Sequence, residues 1–413
     1  MRKKLSLFVI CALLLTAGTS ALAMSRAELR AHWQQICEVR SDDSPYLEVP
    51  DPIAYAPGAL TDAAQVDALN CLNFLRRVAG LGEVKLNSLY TFRAQNGALL
   101  LAANDALDHN APQPEGMDDA QYKTAHMGTS LGNIARFNWM KSDILIDGVS
   151  YFARDDGDAN LSVLGHRRWL LNPQMAETGF GLANSESGMS YVAMYAVDMG
   201  NPNAQWDYVA WPAPEAFPVE MMRAELAWSV SLNDALYDLS ASRPEIYMEE
   251  KTTGAQFHFD VAGGSGDGYC ALSTQLCGSG SCIIFRPEIE KAGIAEYVQN
   301  QIWSVEITGL RTADGSDTQI AYSCEMASLY PQDVANVELS QLEVRLAPGE
   351  TLSLQASVIP TYADDLSIIW GSSDPTVASV NPDGLVSAVS PGTCQITAMS
   401  ANGRRDVCTI TVE

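Results

Sequence analysis

Chemistry in this chain would have to come from a small set of side chains, because 413 residues hold only five histidines. Three carboxylates, Asp155, Asp156 and Asp158, closely precede His166. Histidine titrates near neutrality, so His166 with Asp156 forms a candidate acid–base pair. The run Asp156-Gly157-Asp158-Ala159-Asn160 alternates like the start of a calcium loop. A full loop needs glycine where Leu161 stands and glutamate where Arg167 stands, so the run reads as a solvated acidic turn. Asn160-Leu161-Ser162 has the form of a glycosylation sequon, which matters only in a eukaryotic source. HExxH is absent, and Gly263-Gly264-Ser265-Gly266-Asp267 falls one glycine short of GxSxG. A Ser–His arrangement stays open, since triad partners need only meet in space. The glycine run Gly263 to Gly268 opens no helix and has no Lys-Ser/Thr after it, so it reads as a turn rather than a phosphate cradle.

The first residues place the chain. Arg2, Lys3 and Lys4 precede the apolar stretch Leu5 to Leu15, and Ala21-Leu22-Ala23 follows. That is the pattern of a secretory leader over residues 1–23. The stretch is shorter than the roughly 20 apolar residues of a membrane span. Cys11 lies inside it rather than after a cleavage site, which gives no lipid-modified N-terminus. The net charge is −25 and all three charges of the leader are basic; so acidic a surface disfavours nucleic acid and anionic lipid. Export leaves eight cysteines in an oxidising compartment, with no CxxC among them, so disulfide pairing is expected rather than a zinc ribbon or redox motif.

Three textures follow one another after a lead segment at 24–60. From Thr61, a helix carrying Ala68, Leu72, Leu75 and Ala79 on one face runs to Gly80 and Gly82, and a second runs from about Ser88 to Ala106. Gly179 to Leu182 and Tyr191 to Val197 read as strands joined at Ser187-Gly188. Helices before strands predict an α+β layer fold over 61–205. Residues 206–332 alternate as strands and turns, predicting an all-β, sandwich-like connector whose four cysteines allow three connectivities. Residues 333–413 show short strands with a turn every eight to twelve residues or so, the signature of an Ig-like sandwich. Cys394 and Cys408 lie symmetrically about Ala401, so a hairpin turning near Asn402-Gly403 would set them face to face.

Two resemblances sharpen this. Ala347-Pro348-Gly349-Glu350, Ile369-Trp370-Gly371-Ser372-Ser373-Asp374-Pro375, Val377-Ala378-Ser379-Val380, Asp383-Gly384-Leu385-Val386 and Pro391-Gly392-Thr393 are similar to the bacterial Ig-like group 2 domain. Leu164-Gly165-His166-Arg167-Arg168-Trp169-Leu170-Leu171-Asn172-Pro173, followed by Thr178-Gly179-Phe180-Gly181, resembles the signature of the CAP superfamily, the SCP-like cysteine-rich secretory fold. Leu72 to Leu81, Leu107-Asp108-His109 and Gly132-Asn133-Ile134-Ala135 fall in that family's order. The resemblance implies a multidomain chain in which a three-layer α+β domain precedes two β-sandwich units. It also implies a cleft lined by His109, His166 and Asn133, with Asp156 beside it. In the family two histidines and two acidic residues form a tetrad that can hold a divalent metal such as zinc, and His109 and His166 occupy the two histidine positions. Gly132 stands where a glutamate is expected, so the set is incomplete. Two histidines alone bind zinc weakly, and His126, Asp155, Asp156 or Asp158 would have to complete it.

On this reading the chain is a secreted or cell-surface protein that binds a small apolar ligand, a peptide or an extracellular surface component through the cleft without catalysis. Alternatives are a peptide or cell-wall hydrolase using the cleft histidines, and an adhesion protein presenting the domain on Ig-like modules. A structural role competes for each histidine: His166 could brace Arg167 and Trp169, and His109 could cap the second helix.

Overall fold

The computed structural model describes residues 24–39, 43–138, 143–157 and 159–413. The leader with Cys11, and Asp158, lie outside that set.

Among the described residues, the N-terminal half forms six α-helices: α1 (Arg26–Val39), α2 (Asp62–Val78), α3 (Ser88–Asn104), α4 (Asp119–Ser130), α5 (Ile144–Arg154) and α6 (Gly165–Leu170). Helix α2 begins where the Thr61 hydroxyl accepts from the Ala64 N–H, one of the donors a helix start leaves free. It buries the expected Ala68, Leu72 and Leu75 and ends at Gly80, whose φ of +74° suits glycine. The Asn87 side chain caps α3, which stops two residues before the expected Ala106, because Asp105 turns left-handed at φ +44°.

Strands Gly132–Phe137, Ser190–Tyr195 and Phe180–Asn184 form an antiparallel sheet with Ser190–Tyr195 in the middle. Alternation decides what each face meets. Ile134, Tyr191, Ala193 and Ala183 face α3 and α4. Ala135, Val192, Met194, Phe180 and Leu182 face the core that holds Leu72 of α2 with Val149 and Phe152 of α5. Both faces are covered, which gives three layers. A Cβ on Gly181 would lie 2.2 Å from the Ala94 carbonyl oxygen of α3, so the Gly-x-Gly strand lets that helix rest on the sheet.

Residues 206–332 form a sandwich of a four-stranded and a six-stranded sheet. The four-stranded sheet runs in the order Gly268–Ser273, Cys282–Pro287, Trp228–Leu232, Tyr208–Trp211. Aromatic rings fill the space between the sheets, with Trp228 centred 6.1 Å from Phe285 and 5.9 Å from Trp303. The glycine run at 263–268 is a turn with a two-residue strand, as expected. The apolar core does not break at residue 205: one cluster runs from Leu72 and Phe152 through Trp211 and Met222 to Trp303. Helix α1 seals this junction, burying Leu29 and setting Trp33 against Phe74 at 5.3 Å and Tyr330 at 6.4 Å.

Residues 333–413 form a β-sandwich with clusters of its own around Val386, Ile396 and Ile410, and around Val337 and Ala398. One expectation fails here. The hairpin pairs Cys394 with Ile410 and Ile396 with Cys408, so the two cysteines are staggered by two positions rather than opposed. Its symmetry centre is Asn402, one residue past Ala401, and both thiols are free.

Candidate functional site

Helix α5 ends at Asp155, whose φ of +50° turns the chain back and whose carboxylate is wholly buried. Nine residues later a second left-handed residue, Leu164 at φ +50°, starts α6. The two turns bring His166 onto Asp155, with the imidazole Nδ1 2.9 Å from Oδ1. The other carboxylate oxygen accepts the Arg167 backbone N–H at 3.2 Å, and the Asn160 amide lies 3.1 Å from the same imidazole nitrogen. Asn133 donates from its side chain to the His166 carbonyl at 2.8 Å, tying α6 to the sheet. The Phe152 ring stands 5.4 Å from the imidazole. A buried carboxylate on Nδ1 holds the orientation of the ring and leaves Nε2 clear of that contact. The imidazole is 15% exposed, so that nitrogen lies in a sheltered site.

The two arginines after His166 point the other way. Arg167 is fully buried and donates to the Ala153, Arg154 and Ala227 carbonyls and to the Ser229 hydroxyl, at 2.6–3.2 Å. Arg168 donates to the Val163, Gln275, Ser279 and Gly280 carbonyls and to the Ser273 hydroxyl. Arg76 likewise donates to the Gly82, Leu170 and Asn172 carbonyls. Burial lowers Arg167 and Arg76 to about 10, which still leaves both charged at neutral pH. A buried cation that loses its acceptors is strongly destabilising. Sequence reasoning gave these arginines no role of their own. The available signal was three guanidinium groups inside apolar segments of a very acidic chain.

The other expected site residues are dispersed. His109 is exposed, and its Nδ1 lies 2.8 Å from the Thr129 carbonyl, while the Thr129 hydroxyl donates to the His109 carbonyl. It therefore ties the loop after α3 to the end of α4 rather than capping α3. Asp156 pairs with Arg223 and lines an indentation of about 160 Å³ together with Leu161, Leu164, Glu225 and Arg286; its neighbour Asp155, not Asp156, is the partner of His166. The His126 ring lies 5.7 Å from Tyr122, and its Nδ1 lies 3.5 Å from the Ser130 hydroxyl.

The expected metal set does not fit. A Cβ on Gly132 would lie 2.5 Å from the Gly128 carbonyl oxygen and 2.9 Å from that of Met194, which leaves no room for a glutamate. Neither His126 nor Asp156 replaces it, and among the described residues no three His, Cys, Asp or Glu side chains converge as ligands.

Comparison with known proteins decides the family of this site: residues 69–195 match the cysteine-rich secretory protein family, CAP. Those residues form a CAP domain. Residues 333–410 form a bacterial Ig-like domain of group 2. Three similar proteins are a kappa-carrageenase of Pseudoalteromonas carrageenovora, 38% identical over 19% of this chain and 20% of the relative; a lacto-N-biosidase of Bifidobacterium bifidum, 42% identical over 19% and 7%; and an Ig-like virion protein of Serratia phage KSP90, 38% identical over 19% and 31%. The chain thus spans under a third of each of these relatives. Among solved structures, an intimin mutant of EHEC O157:H7 is 18% identical over 19% of this chain and 47% of that one, with a TM-score of 0.17. Tandem Ig domains A164–A165 of titin are 10% identical over 45% and 87%, with a TM-score of 0.23. Within these residues, α6 therefore carries His166 on one side and the fastening to the following sandwich on the other. No helix of the described residues is long and apolar enough to cross a membrane.

Proposed function

We propose that this is an extracellular or cell-surface protein whose CAP domain binds a peptide or a surface component without chemical turnover, and which is carried on its β-sandwich units. One observation supports this most: the family motif applies its buried polar groups to fastening. Arg167, Arg168 and Asn133 hold α6 to the sandwich and the sheet, and His109 holds a loop to α4. The exposed apolar side chains Leu47, Val49 and Ile53 of the lead segment add contact surface on the CAP side. In a titration of the full chain against immobilised cell-wall fragments and a peptide library, binding should be saturable and no fragment should be cleaved. Steady release of cleaved product would sink the reading.

A second reading rests on the Asp155–His166 pair, which has the orientation of a general base and its positioning carboxylate. Under it the chain is a hydrolase of peptide or cell-wall material. Asp155→Asn would then lower turnover by roughly 10³-fold or more while leaving substrate binding intact. Binding unchanged with no turnover to lose favours the first reading.

A further inference from the structure

The β-rich unit carries four cysteines, and the fold separates them. Cys324 lies on strand Asp317–Ala327 in the six-stranded sheet. Cys270 is on strand Gly268–Ser273, where its thiol faces the carbonyls of Asp260 and Ser265 at 3.8 and 3.6 Å. The partner of Cys282 across that hairpin is Ser273, three positions from Cys270. An odd offset puts Cys270 and Cys282 on opposite faces of the sheet.

Cys277 and Cys282 remain, within one hairpin loop, Cys277-Gly278-Ser279-Gly280-Ser281-Cys282. Both are buried, at 6% and 0% exposure. Cys282 packs with Leu164 and Ala227 on the side facing the start of α6. The loop between them is clasped by Arg168, which donates to Gln275, Ser279 and Gly280 carbonyls and to Ser273 at the hairpin base. Gly278 lies against α6 so closely that a Cβ there would sit 2.8 Å from the Trp169 ring. Arg168 thus holds the loop that joins the two thiols, both of which are free in this structure.

We infer that Cys277 and Cys282 join in a disulfide when the chain folds in an oxidising compartment, and that this bond closes the loop through which the CAP domain is fastened to the β-sandwich. The oxidant is a protein or small-molecule disulfide. The thiolate of Cys277 attacks one of its sulfurs, forming a mixed disulfide and releasing one thiolate; the thiolate of Cys282 attacks the Cys277 sulfur and releases the second. Two electrons pass to the oxidant, and the two protons lost by the cysteines are taken up by the released thiolates. Burial pushes both thiols up, and Arg168 only partly opposes this. With the loop docked there is little thiolate and no access, so the bond forms before the hairpin seats on α6 and is afterwards shielded from reductant.

The test uses the full chain exported to an oxidising compartment, denatured without reductant and alkylated, then reduced and alkylated with a second reagent. Cys277 and Cys282 should carry the second label and Cys270 and Cys324 the first. First label on both Cys277 and Cys282, or second label on Cys282 together with Cys270 or Cys324, overturns the inference. As a second measurement, the Cys277→Ser/Cys282→Ser double variant should melt roughly 5 °C lower than the wild type, and the two should melt alike once the wild type is reduced. Equal melting before reduction also overturns it.

Discussion

Gly132 shows how one residue governs what the CAP site can do. The space that a side chain at this position would need is filled by the carbonyl oxygens of Gly128 and Met194, at 2.5 and 2.9 Å from where a Cβ would stand. Gly132→Glu should therefore cost stability, on the order of 3 kcal/mol or more, and should not create a zinc site. Urea unfolding and metal analysis of the purified variant check both halves. A stable variant that binds zinc would show that the α4–sheet corner can open. The missing glutamate was visible in the sequence at once, but its cause was not, because the close approach joins residues from three separate segments. Asp155 was similar: its position before His166 was plain, yet choosing it over Asp156 needed the left-handed turn that points one carboxylate inward and the other to Arg223.

Helix α6 is six residues long and makes no stable helix alone; its position is set by the groups at its two ends and along its side. Arg168 is the largest of these fastenings. Arg168→Ala would take this donor from the carbonyls of Gln275, Ser279 and Gly280, of which the Ser279 contact is buried, and should destabilise the CAP–sandwich body by about 3 kcal/mol. Lysine at the same position should recover less than half of that, since one ammonium cannot reach the spread of acceptors a planar guanidinium reaches. Chemical denaturation of the three proteins side by side would decide it. At this scale the sequence was most legible where periodicity was strong: α2, α3 and the two strands around Gly188 fall where spacing and caps predict. It was least legible where an element exists only by docking. The lead segment gave no sign that α1 would become a wedge between units, and the Cys394–Cys408 alignment missed by one residue of hairpin register, which a symmetric count cannot resolve.

At the scale of the molecule, among the described residues, the CAP domain and the connector share one core, whereas the Ig-like unit has its own. Residues 333–413 expressed alone should fold cooperatively, while residues 61–205 alone should aggregate; circular dichroism and size exclusion on the two pieces check this. Between the two bodies stands Asp364. Arg30 holds it with two hydrogen bonds of 2.9 Å, and the Gln332 N–H and the Gln299 amide add more. Burial works to raise this carboxyl, but the hydrogen bonds from Arg30, Gln332 and Gln299 outweigh it and lower it below its ordinary 3.8. A carboxyl lowered by folding stabilises above its unfolded value and loses that contribution as the pH falls through the folded one. The contact should thus hold at neutral pH and release only as the pH falls through the folded value, which lies below 3.8. Small-angle scattering should record a longer maximum dimension there with the CAP core intact, and Arg30→Ala should show the longer form at pH 7.

The α1 contacts also set an order of events. Arg30 meets Ser328 and Asp364 across 298 and 334 residues of chain, so the helix near the start of the chain can take its final place only after nearly all the rest has formed. Contacts of such separation are slow to close, since the loop entropy is lost before they reward it. A chain that emerges N-terminus first thus presents α1 early and seats it last. Until the Ig-like unit has followed, the joint that Arg30 makes with Ser328 and Asp364 stays open.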